Sequence, residues 1–198
     1  MTITDRPAGE RPAVVRALLA RLDDYLAGPG LYLPVFVDVA GRREAGTLTL
    51  GVVLDAIDAV AHDDPEAGRA LRADLDAAVG AHRAAYLDKL GRELRSAVSL
   101  WRAAADDLAR DPERAGESWV EAARQRTRAA ELVAEHARTG AAAPAPQLAA
   151  LAAADDVVRA HTVPGPFALR AADAERWPAD RAWWLWRRPS HEGSPRRS

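Results

Sequence analysis

Two side chains capable of acid–base chemistry lie one helical turn apart near the middle of the chain. His82 and Tyr86 fall on the apolar face of a predicted helix, and Trp101 lies further along the same face. Arg126 lies close to the inward face of the next predicted helix, where a buried guanidinium needs a carboxylate or a bound anion. These four residues are the candidate ligand-binding site, and their chemistry suits a small anionic molecule.

A structural role is the favoured interpretation of the same arginine. Glu93, Asp155 or Asp156 could supply a carboxylate that pairs with Arg126 between two helices. An open concave pocket at this point would favour the ligand, whereas a closed salt bridge would favour the structural role.

Other chemistries lack their usual signatures. The chain has no cysteine, which excludes disulfides, thiolate catalysis and cysteine-based metal sites. No nucleophile-elbow serine, phosphate-binding loop or dinucleotide-binding glycine motif occurs. Glu135 and His136 are adjacent rather than three residues apart, which does not fit the Glu-x-x-His pairs of di-iron bundles. We therefore expect no metal and no cofactor, assign no catalytic residue, and favour a protein without enzymatic activity.

The segment RAWWLWRRP, residues 181–189, holds three of the six tryptophans. Residues 183–186 would point nearly all the way round a helix, so they form no flat membrane-binding face. The favoured interpretation is a plug for the core of this chain or of a second copy. A partner-binding arm, a stacking platform for nucleic acid and a membrane contact are the alternatives. The candidate interaction residues of this arm are Trp183, Trp184, Trp186, Arg187 and Arg188.

The elements that must position these residues are mostly helical. Alanine supplies 46 of the 198 residues and favours helices. β-branched and aromatic residues around a glycine-bounded turn predict a small β-hairpin or extended element near 31–50. We expect a mostly α fold, an elongated bundle of about five helices in which the third and fourth form a long antiparallel hairpin. Apolar residues at helical spacing predict these helices over 11–27, 50–62, 66–110, 113–138 and 147–161.

Residues 1–189 are expected to form a single helical domain that contains the long hairpin at 66–138 and the tryptophan-rich arm at 177–188. A disordered basic tail is expected at 190–198. Residues 181–198 carry five arginines and one glutamate, a net charge of +4, which leaves −6 elsewhere because the total is −2. No signal-peptide pattern and no transmembrane-length apolar stretch occur, so a cytoplasmic protein is expected.

The alanine-rich helices make a thin core, which is a motive for dimerisation. The lead hypothesis is a non-enzymatic interaction or scaffold module with a protein partner, a homodimer in the simplest case, that uses the long hairpin and the tryptophan arm. One alternative is a helical bundle that binds or converts a small anionic ligand near His82, Tyr86 and Arg126. The weakest alternative is nucleic-acid association through the arm.

Overall fold

The computed structural model describes residues 6–39 and 41–190. Within them the chain is mostly helical with two small antiparallel sheets, which confirms the predicted fold class. The strands are β1 Leu33–Val39, β2 Arg42–Leu48, β3 Thr162–Pro164 and β4 Arg187–Pro189. The α-helices in this part of the chain are α1 Arg11–Leu19, α2 Leu22–Ala27, α3 Leu50–Asp63, α4 Pro65–Ala81, α5 Arg83–Arg110, α6 Pro112–Arg138 and α7 Ala145–His161.

The first predicted helix, 11–27, is in fact two helices. Between α1 and α2, Arg21 adopts φ −108° and ψ 5°, which interrupts the helical backbone. Pro12 lies in the first turn of α1, where its missing N–H has no helical partner to lose. The prediction of one continuous helix was wrong because the apolar spacing continues across the interruption.

The longest predicted helix, 66–110, is also interrupted. His82 takes φ −126° and ψ 33° between α4 and α5. Gly80, two residues earlier, has a low helix propensity. His82 departs from the predicted apolar stripe, because its side chain is 45% exposed. The other members of that stripe are buried, as predicted: Leu71, Leu75, Val79, Tyr86, Leu90, Leu94, Val98, Trp101, Ala105 and Leu108.

The inward face of α6 is partly polar, contrary to the apolar face predicted for it. The apolar spacing along this helix predicts Val120 and Ala137 on the inward face, but both are exposed. Thr127, Glu135 and His136 are buried instead. A hydrophobic pattern cannot identify such positions, because in a sequence a buried polar residue looks like a surface residue.

The predicted β-hairpin is confirmed. β1 and β2 pair antiparallel from Leu33 opposite Leu48 to Val39 opposite Arg42. Gly41 has φ +77° at the turn, a conformation that glycine adopts without strain. β1 packs on α1 and β2 on α3, so one face of this sheet is buried on helices and the other points outward.

The chain divides into two compact units. The first contains the described residues up to Leu94 together with Glu131–Ala142, and the second contains Arg95–Ala130 and the described residues from Ala143 onward. In the first unit α4 crosses α3 so closely that a Cβ at Gly68 would lie 2.4 Å from Ala61. Both units draw on α5 and α6, so this division does not by itself test the prediction of a single domain.

The second unit is built on the turn between the two long helices. Trp101 of α5 and Trp119 of α6 have ring centroids 5.9 Å apart across the turn at Asp111, so the two helices leave this turn side by side. The strands β3 and β4 form a two-stranded sheet that the sequence did not predict. The predicted disordered tail falls, apart from Ser190, outside the described residues.

Candidate functional site

Arg126 is held by a closed salt bridge inside the second unit. Its Nε and Nη2 atoms donate to the two oxygens of Asp155, each at 2.8 Å. Trp101 Nε1 donates to the same carboxylate at 2.9 Å. This bidentate pair, with an indole as third donor, is the structural alternative predicted for Arg126. Asp156 instead lies exposed and pairs with Arg159.

The tryptophan arm lies in the core of the same unit. Residues Trp183–Trp186 form a 3₁₀ turn in which Trp184 is 3% exposed and Leu185 is fully buried. The indole of Trp184 donates to Thr127 Oγ1 at 2.9 Å, and the Arg126 guanidinium lies 4.1 Å from the centre of its ring. The arm therefore supplies large apolar side chains to its own unit, the plug expected for an alanine-rich chain.

The other residues of the arm are also held within the unit. Trp186 donates to the Trp177 carbonyl at 2.8 Å. Arg187 donates to Thr162 Oγ1, while its own carbonyl accepts from the Trp119 indole. Trp183 is half-buried with the Arg159 guanidinium 4.2 Å from its ring centre, and Arg188 is exposed. Few aromatic faces of the arm are left for a nucleic acid or a membrane.

Tyr86 belongs to a second buried carboxylate cluster, in the first unit. Its hydroxyl donates to Glu135 Oε1 at 2.7 Å. Arg72 of α4 donates to the same carboxylate at 2.8 Å, and Arg138 donates to both of its oxygens. Burial and the adjacent charge of Glu135 raise the pKa of Tyr86 far above its ordinary value, so this hydroxyl stays a donor. Burial opposes the charge on Glu135, but these hydrogen bonds outweigh it and lower the pKa of the carboxyl.

His82 and Tyr86 do not share a site, although they are one turn apart. His82 lies at the α4–α5 break with Nε2 3.3 Å from an Asp23 oxygen, and both side chains are exposed. Tyr86 is fully buried on Glu135. Of the four predicted ligand-binding residues, the structure joins Trp101 and Arg126 in the second unit through Asp155. His82 and Tyr86 belong to the first unit.

Glu93, the third carboxylate considered for Arg126, caps a helix in the first unit. It accepts from the backbone N–H groups of Leu50 and Gly51 at 2.6 and 3.0 Å, and from the Tyr25 hydroxyl. An acid at a helix N-terminus is favoured by the helix dipole. One turn earlier, Lys89 donates to the carbonyls of Gly28 and Gly30. This chain's single lysine thus holds the turn that precedes β1.

His136 is the unusual polar group of the first unit. The side chain is 4% exposed, and neither ring nitrogen has a hydrogen-bond partner. Burial lowers the pKa of His136 below its ordinary value of 6.5, despite the opposing charge of Glu135. The ring is therefore neutral at neutral pH, and it packs as a hydrophobic group.

The outward face of the β-hairpin exposes an aromatic side chain beside charged ones, and sequence reasoning did not single it out. Phe36 is 63% and Tyr32 59% exposed, the largest exposures among the large hydrophobic residues of the described chain. The Arg43 guanidinium lies 4.7 Å from the centre of the Phe36 ring. The signal was present in the alternation along β1, where Val35 and Val37 are buried and their neighbours point outward.

Residues 6–39 and 41–190 contain no group of three or more His, Cys, Asp or Glu side chains that could hold a metal ion. A cavity of about 590 Å³ lies at the α5–α6 turn. It contains none of the predicted site residues, and it is lined by Asp107, Arg110, Asp111, Arg114, Ala115, Glu117 and Ser118.

The class of protein that fold and site define is a mostly α protein with an exposed β-hairpin and internally paired buried charges. Comparison with protein-family models finds no match, and neither do comparisons with curated proteins and with solved structures. None of the helices in the described ranges is both long and apolar enough to cross a membrane.

Proposed function

We propose that this chain is a non-enzymatic protein–protein interaction module and that its binding surface is the outward face of the β-hairpin. We define this hairpin face as Tyr32, Pro34, Phe36, Asp38, Arg43, Ala45 and Thr47. The observation that carries the proposal is the exposure of Phe36 on a sheet whose other face is buried on helices, together with that of Tyr32 directly before β1. Aromatic side chains are enriched at protein interfaces, and Arg is enriched with them.

The proposed class of function is the one predicted from the sequence, but the proposed binding surface is the hairpin face instead of the long helical hairpin and the tryptophan arm. The tryptophan arm was the expected binding element, but its side chains are used within the second unit. Among residues 6–39 and 41–190, the hairpin face has no such internal partner beyond the stacking of Arg43 on Phe36. A cytoplasmic location belongs to the same proposal, and the absence of cysteine supports it.

The anionic-ligand and nucleic-acid hypotheses have weaker support. Arg126 is the cation that the ligand hypothesis requires, and it is already paired with Asp155. Of the tryptophans that the nucleic-acid hypothesis requires, Trp184 is buried, and Trp183 and Trp186 are half-buried.

Site-specific photo-crosslinking tests the proposal. A photoreactive phenylalanine analogue at position 36 is expected to form discrete adducts heavier than the chain when the protein is irradiated in native lysate. Mass spectrometry of these adducts identifies a second copy or another protein. The matched control carries the analogue at Leu100, an exposed apolar residue of α5. Absence of adducts from position 36, or the same adducts from both positions, would contradict the proposal.

A further inference from the structure

We infer that the partner of the hairpin face is a second copy of this chain, stacked face to face about a two-fold axis parallel to the strands. This inference rests on the proposed function and names its partner. It is carried by the cross-strand register, which places side chains of complementary size and charge at the same level of the two strands.

The register fixes which side chains share the outward face. Phe36 lies opposite Ala45, and Asp38 lies opposite Arg43. Residues directly opposite in an antiparallel pair point to the same side of the sheet, and all four of these are exposed. The face therefore carries a large apolar group on β1 against a small one on β2, and an acid on β1 against a base on β2.

The two-fold axis lies between the stacked sheets, parallel to the strands and midway between β1 and β2. Rotation about it places β1 of one copy over β2 of the other, with no shift along the strand direction. Phe36 then meets Ala45 of the second copy, so a large side chain faces a small one. Asp38 likewise meets Arg43 of the second copy, and the symmetry makes each such contact twice. Stacked sheets lie about 10 Å apart, a gap that interdigitating large and small side chains fill.

Charge complementarity favours this partner over others. The hairpin face carries one acid and one base, so a strongly acidic or strongly basic partner surface would meet a like charge. A second copy presents the same pair in exchanged positions, which is the self-complementarity that an isologous interface requires.

Stacking of faces is favoured over pairing of strand edges. Each strand of this sheet has one strand partner in the described residues. Pro34 has no N–H to donate to a further strand, and the charged Asp38 follows on the same strand. The outward face remains as the surface through which two hairpins can associate.

Sedimentation velocity on the purified full-length chain gives the first test. The wild-type chain is expected to dimerise at micromolar concentration, and Phe36→Ser is expected to raise the dimer dissociation constant about tenfold or more, because it removes the central aromatic group. Thermal unfolding followed by circular dichroism checks that each variant remains folded. A monomer at high micromolar concentration overturns the inference, as does a dimer that Phe36→Ser leaves unchanged.

Charge reversal tests the symmetry itself. Asp38→Arg and Arg43→Asp each place like charges across the axis, so each variant alone is expected to lose dimerisation. An equimolar mixture of the two is expected to recover it as a heterodimer, because each mismatched position then faces the opposite charge. Asp74→Arg, a charge reversal at an exposed position on α4, is the matched control and should leave dimerisation unchanged. A mixture that does not recover contradicts the proposed axis.

The two experiments separate the two proposals. Adducts from position 36 to a different protein, together with a monomeric purified chain, overturn the second-copy inference and leave the interaction module standing. No adduct from position 36, together with a monomeric chain, overturns both. Adducts of the chain with itself, together with recovery in the charge-reversed mixture, support both.

Discussion

Each unit contains a buried carboxylate that accepts hydrogen bonds from an aromatic side chain and from arginine, but the solvent exposure of those arginines differs between the two units. In the second unit, Asp155 accepts from the Trp101 indole and from Arg126, and the Arg126 side chain is only 11% exposed. In the first unit, Glu135 accepts from the Tyr86 hydroxyl and from two arginines, Arg72 and Arg138, which are 29% and 35% exposed. Each cluster therefore joins an aromatic donor to a guanidinium, but the arginine side chains of the first cluster are more exposed than Arg126, although Arg72 Nη1 is itself buried.

This difference in exposure indicates which lost interaction should lower the free energy of unfolding more. When a buried guanidinium loses its carboxylate partner, no water can take the place of that partner, whereas a partly exposed guanidinium can be hydrated. The first unit also contains a destabilising group next to the cluster, because His136 is buried without a hydrogen-bond partner. We expect the second unit to be more sensitive to loss of its carboxylate and the first to be more sensitive to acid.

Removal of the Asp155 carboxylate should lower the free energy of unfolding most. Asp155→Ala should lower the free energy of unfolding by about 3–5 kcal/mol, because Arg126 is left buried and uncompensated. Urea denaturation followed by circular dichroism measures it. Asp156→Ala is the matched control, since that neighbouring side chain is exposed, and should change stability by less than about 0.5 kcal/mol. Equal effects at the two positions would remove the distinction on which the comparison depends.

Loss of the Glu135 carboxylate should cost less, because its arginine partners are more exposed than Arg126, although Glu135 itself is only 1% exposed. Glu135→Ala should lower the free energy of unfolding by about 2 kcal/mol, mainly because the buried Tyr86 hydroxyl loses its acceptor. Arg72 and Arg138 can turn toward water, and Arg138 keeps Asp76 at 2.8 Å. The same denaturation experiment applies, with the exposed Glu117→Ala on the same helix as control. A larger loss than that of Asp155→Ala would reverse the predicted order of the two clusters.

Acid should lower the stability of the first unit more than that of the second. The pKa of His136 is lowered by burial in the folded state, so the unfolded chain takes up this proton first as pH falls below 6.5. The contribution of His136 to stability is therefore complete above its ordinary pKa and is lost below it. The maximum slope is about 1.4 kcal/mol per pH unit. Glu135, whose pKa is also lowered, loses its contribution only below its ordinary value of 4.5.

His136→Leu isolates the histidine. Unfolding free energies measured between about pH 7.5 and about pH 5 should fall less in the variant than in the wild-type chain. The leucine also removes two unpaired nitrogens from the interior, so stability at neutral pH should stay the same or rise. His82→Leu is the control at an exposed histidine. Identical pH profiles for wild type and His136→Leu would show that this buried ring does not set the acid sensitivity.

The smallest expected effect concerns the aromatic donor of the first cluster. Tyr86→Phe should lower the free energy of unfolding by about 1 kcal/mol, since Glu135 retains its arginine partners. Ser99→Ala removes a hydroxyl at an exposed position of the same helix and should have almost no effect. An effect of Tyr86→Phe as large as that of Glu135→Ala would mean that the hydroxyl, rather than the arginines, holds the carboxylate.

The clusters also show how far sequence reasoning could reach. Arg126 was recognised as a buried cation, and Asp155 was among its predicted partners, because an arginine within an apolar stripe needs a counter-charge. Tyr86 was recognised as inward-facing, but its acceptor was not, since Glu135 lies outside the apolar pattern of α6. The helix breaks at Arg21 and His82 were missed for the opposite reason, because the apolar spacing continues through them.

The hairpin face was missed although its pattern was readable. The alternation of valines with Tyr32, Pro34 and Phe36 marks one buried and one outward side. Nothing in the sequence says which outward aromatic side chain a neighbouring element will cover. The size and density of the tryptophans in the arm suggested a binding surface, but within the second unit Trp184 is buried and Trp183 and Trp186 are half-buried.

Local sequence patterns are enough to predict the mostly helical class, the position of the β-hairpin and the apolar stripe along α4 and α5. These are consequences of local spacing and propensity, which act between neighbours along the chain. Only the tertiary structure decided that Asp155 closes on Arg126, that Glu135 collects a tyrosine and two arginines, and that Trp184 is buried while Phe36 is exposed. Those outcomes join residues tens of positions apart, and they depend on which surfaces pack together in three dimensions.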